Sequence, residues 1–299
     1  MQTMSLRDRF LTLLGEKYPM MLSGVREAHA MDAALVERYF NLTLGWMTEA
    51  FGESALERIV DDYAFYTTEV NQSQALYEKT GAYSASSFEE CNRNIYQNKD
   101  YMTHYYLGVY AILFCWSHYV ELMRFYLDRF VAGCAKGRLL EIAPGHGTWG
   151  LLAAHINPEL VLDGLDISPT FLNFAVPLSK AAGLSGRCRY RCGDGTQAVA
   201  AEPYDHAVCC FMLEHLENPA GFLGSLSGQL RKGGRAFVSL ALTAAQPDHI
   251  FEFVQESEAL VMAEKAGFRV RESICLWPKR QLPKARFVPR VQALVLEKL

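Results

Sequence analysis

Leu139-Leu140-Glu141-Ile142-Ala143-Pro144-Gly145-His146-Gly147-Thr148-Trp149-Gly150 reads as a buried strand ending near an acid, a glycine-rich turn and the opening of a helix. Glycine has no Cβ, so a ligand can lie against bare backbone in such a turn. The helix that follows turns its first amides toward that ligand. A nucleotide-like molecule at the carboxyl end of a strand is the expected occupant. The turn alone is ambiguous. Gly145-His146-Gly147-Thr148-Trp149-Gly150 satisfies the G-x-G-x-x-G pattern, which also fits a turn that only closes a strand.

Four later segments narrow the reading. Val161-Leu162-Asp163-Gly164-Leu165-Asp166 is a second strand ending in an acid, 25 residues after Glu141, the spacing of the ribose-binding acid in a βαβ unit. Arg189-Tyr190-Arg191-Cys192-Gly193-Asp194-Gly195 is a short strand ending in a third acid beside glycine. The stretch from Tyr204 to Cys210 reads as a buried strand and runs into Phe211-Met212-Leu213-Glu214-His215-Leu216. Leu230-Arg231-Lys232-Gly233-Gly234-Arg235-Ala236-Phe237-Val238-Ser239-Leu240 is a helix end, a Gly-Gly turn and a fifth strand.

In this order the five motifs resemble the class I S-adenosylmethionine-dependent methyltransferases, from about Arg138 to Leu299. A nicotinamide dehydrogenase rivals only the first motif. The resemblance implies an α/β, Rossmann-like sheet, parallel with one antiparallel edge strand, and S-adenosyl-L-methionine as cofactor. It also implies roles. Glu141 would organise the loop near the methionine amine, with the backbone of Ala143, Gly145 and Gly147 against the methionine and ribose. Asp166 would accept the ribose hydroxyls and Ile167 would pack on adenine. Asp194, with Gly195, would hold the adenine amine. Phe211, Met212 and Leu213 would wall the sulfonium. Ala143-Pro144 departs from the family pattern. Proline lacks an N–H, so the ligand would rest on the amides to either side.

The chain divides near Gly133–Gly137. Residues 1–132 carry helical patterning and read as a cap or lid; 133–299 alternate strands and helices and read as the cofactor-binding domain. Helices are expected over Leu6–Leu14, Ala33–Phe51 and Asp62–Lys79, with Ser86 or Ser87 capping a fourth. The longest, about Tyr101 to Val131, has an uncharged run from Tyr105 to Trp116. That run is short of the roughly 20 residues that cross a bilayer, so a buried helix is expected instead. The 299 residues carry a formal net charge of -4, which gives no sign of a nucleic-acid binder. The eight cysteines lie mostly in apolar patterns, as in a reducing compartment, and their spacing gives no zinc site. Met1–Arg9 has no apolar signal-peptide core, so a cytoplasmic protein is expected, without membrane contact and as a candidate homodimer.

Eleven of the fifteen tyrosines fall between Tyr63 and Tyr126. Tyrosines fill helical cores, but aromatic faces also attract a sulfonium cation by about 0.5–2 kcal/mol each. A tyrosine-rich lid would exclude water from the reacting carbon. Tyr105, His118 and His215 are the candidates for catalysis, since histidine moves protons near neutral pH. Glu69, Asn71, Tyr77, Tyr101 and Tyr106 are the candidates for holding a substrate. His249–Phe253 could border the pocket. The basic loop Trp277–Arg286 could meet an acidic partner. Three functions follow: a small-molecule methyltransferase, a cofactor-binding module without turnover, or a cyclase. The last rests on a layout similar to the S-adenosylmethionine cyclases that form azetidine-2-carboxylate. There the cofactor's own amine displaces methylthioadenosine.

Overall fold

A computed structural model describes residues 4–197, 202–280 and 284–299. The reading of Met1–Thr3 and the Gln281–Pro283 part of the basic loop lie outside these residues. The first half is helical: α1 (Leu6–Lys17), α2 (Pro19–Met31), α3 (Ala33–Leu35), α4 (Asn41–Phe51), α5 (Ala55–Thr80), α6 (Phe88–Cys91), α7 (Lys99–Cys115) and α8 (Ser117–Phe125). Local chemistry sets the ends. Ser5 accepts a hydrogen bond from the Asp8 amide, and Pro19 opens α2, where a missing N–H is harmless. Gly52 and Gly81, at φ 82° and 74°, end α4 and α5 in a backbone that suits glycine. Of the two serines expected to cap the next helix, it is Ser87 that accepts from the Glu90 amide.

The long helix expected over Tyr101–Val131 is broken. At Trp116 the chain is extended for one residue (φ −109°, ψ 131°). The indole packs among Tyr66, His118 and Tyr119, with ring centroids 5.5–6.1 Å away. Tertiary packing overrides a continuous helical pattern there.

The second half is β1 (Lys136–Ile142), α9 (Thr148–Ile156), β2 (Glu159–Asp166), α10 (Leu172–Ala181), β3 (Cys188–Cys192), β4 (Tyr204–Cys210), α11 (Pro219–Gln229), β5 (Leu230–Leu242), α12 (Glu256–Lys265), β6 (Phe268–Leu276) and β7 (Arg290–Lys298). The seven strands run in the order β3-β2-β1-β4-β5-β7-β6. All neighbours are parallel except β7, which is antiparallel to both β5 and β6. The single antiparallel strand is therefore one place in from the edge, not at it, and β6 closes the sheet. The residues explain the swap: Val291–Leu296 is buried throughout, as an interior strand requires, whereas β6 is exposed along much of its length.

Strand order reverses between β1 and β4, where α/β sheets open a crevice at their carboxyl ends. Ile142 is level with Leu165 on β2 and with Cys209 on β4. Ala143, Asp166 and Phe211 therefore leave the sheet at one rim. One face of the sheet shares a continuous apolar core with the helical half, running from Phe10 through Tyr126 and Trp149 to Phe237. The other face packs on α11 and α12.

Candidate cofactor and acceptor site

A cavity of about 260 Å³ opens at that rim. It is lined by Ala143, Gly145, Asp166, Ile167, Asp194, Gly195, Phe211, Met212 and His215 from the sheet half, and by Tyr105 and Tyr106 from α7. Eleven expected site residues are thus brought together. Glu141, Gly147, Leu213, His118, Glu69, Asn71, Tyr77 and Tyr101 do not line it.

The glycine loop is shaped by backbone. Ala143, Gly145 and Gly147 all take positive φ, 54°, 54° and 77°. Alanine is uncommon in this region, and such residues cluster at binding sites. The loop amides are largely spent inside the protein. Ala143 N donates to Leu165 O at 2.9 Å, Gly145 N to Asp166 Oδ2 at 3.0 Å and Gly147 N to Pro144 O at 2.7 Å. The loop thus offers a ligand shape more than donors, which corrects the expectation that amides flanking Pro144 would hold it. Glu141 is also reassigned. It is 1% exposed, and its Oε1 accepts from Gly150 N at 3.0 Å, pinning the start of α9 beneath the loop. Burial pushes its carboxyl up to about 8.

Asp166 is buried, and its oxygens accept from Gly145 N and Ser168 N, both at 3.0 Å. Burial raises its carboxyl, against the pull of those amides. Each oxygen keeps a lone pair. Asp194 Oδ1 accepts from the Thr196 amide and hydroxyl at 2.8 and 2.7 Å, a turn aspartate that also faces the cavity. Phe211, at φ 54°, stacks on Tyr119 of α8 with centroids 5.1 Å apart. Leu213 points the other way, into the core under α11.

His215 faces the cavity and is 3.0 Å through Nδ1 from Asp248 O, 3.2 Å from Tyr96 Oη and 3.4 Å from Asp248 Oδ2. Burial pulls its pKa down, but the Asp248 and Glu214 carboxylates outweigh burial and hold it above the ordinary value. Behind it, Glu214 is pushed up to about 7 by burial, and His249 is held well below its usual value by burial and by His215. Nitrogen and oxygen atoms of Glu214, His215 and His249 lie within 4.8 Å of one another. Cysteine spacing gave no hint of this group. His249 Nδ1 lies 2.7 Å from Ala244 O and Glu214 Oε1 accepts from Ala241 N, so we read it as an internal charge cluster. Asp248 is the site residue that the sequence reading missed. Its carboxylate lines the cavity at 1% exposure, one residue before the segment expected to border the pocket.

The remaining candidates have other surroundings. Tyr101 donates to Glu69 Oε2 at 2.6 Å. Tyr77 donates to Glu252 and stacks on Phe287 at 4.1 Å, pinning α5 to the C-terminal segment. His118 stacks on Trp116 and is pushed down to about 3 by burial, which makes it a neutral wall residue. With Asn71 it lines a second cavity, of about 680 Å³. That cavity lies between the helical half and the C-terminal segment, where Arg280 pairs with Glu27 and the Lys279 amide reaches Ser117 Oγ. The basic loop is thus partly docked on α2 and α8. Tyr119 against Phe211, and Tyr66 against Tyr105 with its hydroxyl 3.0 Å from Gln246, stand between the two cavities.

Residues 140–236 match the family model described as methyltransferase domain. The ubiquinone biosynthesis O-methyltransferase of Xanthomonas axonopodis pv. citri is 22% identical over 157 residues, 46% of this chain and 65% of that protein. The chain spans less than two thirds of the length of the curated relatives it matches. A solved O-methyltransferase family protein from Burkholderia thailandensis is 14% identical at a TM-score of 0.56, covering 89% of this chain and 76% of its own. A structure described as PigF with SAH is 15% identical at 0.55, covering 81% and 73%. At such identities the likeness is one of fold, and by coverage it extends into the helical half. Residues 140–236 thus resemble a methyltransferase domain, and the fold is the one seen in these methyltransferase-family structures. No helix among the described residues is long and apolar enough to cross a membrane.

Proposed function

We propose that this protein transfers the methyl group of S-adenosylmethionine to a small molecule held between the helical half and the sheet. The cofactor brings a methyl group already activated on a sulfonium, so the chain need only align, desolvate and handle a proton. The cavity residues fit this cofactor. Asp166 has lone pairs for two ribose hydroxyls, Ile167 offers an apolar surface for adenine, and Asp194 and Gly195 border the far end. Ala143 and Gly145 give the methionine portion bare backbone. Phe211, Met212, Tyr105 and Tyr106 would enclose the sulfonium. Glu141 and Gly147 act through the loop as positioning residues.

The observation that carries the reading is the second chamber. With the cofactor in the first cavity, the 680 Å³ beyond Tyr66 and Tyr119 provide room for an acceptor. The tyrosine-lined first cavity favours the cyclase as second reading. Incubating the purified protein with S-adenosylmethionine alone, then with candidate acceptors, separates them. S-adenosylhomocysteine formed only with acceptor supports the methyltransferase. Methylthioadenosine and azetidine-2-carboxylate formed without acceptor would replace it by the cyclase. Cofactor binding with no turnover would leave a binding module, and calorimetry showing no binding would sink all three.

A further inference from the structure

Asp248 is a carboxylate in an unusual position. It is 1% exposed and lines the first cavity, and neither oxygen meets a protein donor in good hydrogen-bond geometry. A buried charge in that condition is costly unless a partner arrives. His215 supplies charge at 3.4 Å, but its Nδ1 is closer to the Asp248 carbonyl, at 3.0 Å. One nitrogen carries one proton, so only the Tyr96 hydroxyl, outside good hydrogen-bond geometry, is left to face the carboxylate.

The ring of neighbours sharpens the point. The Asp248 charge acts on the hydroxyls of Tyr66, Tyr96, Tyr101 and Tyr105. It acts on Glu69 as well, whose carboxylate is half-buried beside Tyr101. Two acids among four tyrosines attract a cation twice over, through charge and through ring faces. On the strand-end loop, Gln246 lines the second chamber and Asp248 the first. A ligand held by Asp248 can therefore extend toward the larger chamber past Tyr66.

We propose that Asp248 is the acceptor-binding carboxylate and that the acceptor is an amine, entering as its ammonium. This rests on the methyltransferase reading. The ammonium gives one proton to the Asp248 carboxylate, freeing the nitrogen lone pair. That pair bonds the methyl carbon while the carbon–sulfur pair remains on sulfur as a thioether. The product leaves as an N-methylated ammonium, and Asp248 returns its proton to water.

The test uses the full chain saturated with S-adenosylhomocysteine, with benzylamine, 2-phenylethylamine and n-butylamine set against benzyl alcohol, 2-phenylethanol and n-butanol. Calorimetry is expected to show amines binding roughly 10-fold or more tighter than their alcohols, as for a charged hydrogen bond. Asp248→Asn should weaken amine binding by roughly 10- to 100-fold, with S-adenosylhomocysteine affinity kept within about threefold, a change of under 1 kcal/mol. Glu69→Gln, at a less buried site, should weaken amine binding by a smaller factor. Methyl transfer from labelled S-adenosylmethionine should follow the same order. Alcohols that bind as well as amines, or no probe binding at all, would overturn the assignment. So would an Asp248→Asn protein that loses affinity for S-adenosylmethionine but keeps it for S-adenosylhomocysteine, since the carboxylate would then serve the sulfonium. A wild-type protein that binds neither cofactor form fails the methyltransferase reading itself, a separate result.

Discussion

Asp166 does two things with one carboxylate. Its oxygens accept from Gly145 N and Ser168 N, so it shapes the loop, and the remaining lone pairs face the cavity. Asp166→Ala should weaken S-adenosylmethionine binding by roughly 1.5–3 kcal/mol, the loss of charged hydrogen bonds, and should lower the melting temperature as well. Calorimetry beside thermal unfolding reads both; unchanged affinity would place the ribose elsewhere. Glu141 has no cavity surface, and its signature is pH dependence of stability. Its folded-state carboxyl, at about 8, lies above the ordinary 4.5. Stability from such a group is complete below about 4.5 and is lost as pH rises through about 8. Glu214, at about 7, and His215, held above its usual value, act in the same direction. His118 and His249, held below the usual 6.5, act the other way but only up to about pH 7.5, so the melting temperature of the ligand-free protein should fall between about pH 7.5 and 9. Glu141→Gln should flatten the upper part of that fall by several degrees, on the order of 2–4 °C per kcal/mol. Superimposable pH profiles would show that Glu141 is not neutralised by burial. The same two residues show what sequence can and cannot reveal. Their place at strand ends is a local pattern and was legible. Which way each carboxylate points depends on packing beneath the loop, and that is not local.

At the scale of elements, the strands were legible because buried parallel strands are apolar runs closed by turn residues. The break at Trp116 and the inner place of β7 were not, since both depend on what packs across from them. Gly108 is a third such case. It sits in the apolar run of α7, where a Cβ would overlap the Tyr66 Cβ and crowd the Asp62 carbonyl of α5 at 2.8 Å. The two helices touch backbone to side chain there, and Tyr66 packs on Tyr105, which lines the first cavity. Gly108→Ala raises helix propensity, yet it should destabilise by about 1–3 kcal/mol through overpacking. Urea unfolding measures this as a lower midpoint at unchanged slope. A stabilised variant would mean that α5 and α7 have room to spare.

For the whole molecule, the question is which part moves when a cofactor enters the first cavity. The helical half cannot swing away as a body. Tyr126 is packed on Trp149 and Phe237, and Phe130 on Phe237, with centroids 4.9–5.8 Å apart, and opening that contact would expose the shared core. The segment from residue 82 to 98 is different. Cys91 and Tyr96 are its only buried residues, while Phe88 and Tyr96 line the first cavity. Its hold on the sheet half includes the Phe88 amide on Glu217 at 2.9 Å and Ser168 Oγ on Tyr96 O at 2.8 Å. Few buried contacts mean a low local opening free energy. This segment, with the start of α7, is the part expected to open while the core stays closed. Binding of S-adenosylhomocysteine at 100 times its dissociation constant stabilises the folded state by about 2.7 kcal/mol. That alone slows exchange only of amides that open globally. If 82–98 covers the cofactor, its amides should slow as well, although they exchange by local opening. α11 and α12, on the far face, should show only the global effect. Hydrogen exchange with mass spectrometry, with and without the ligand, resolves the two. Equal slowing everywhere, with nothing extra at 82–98, would place the entrance elsewhere.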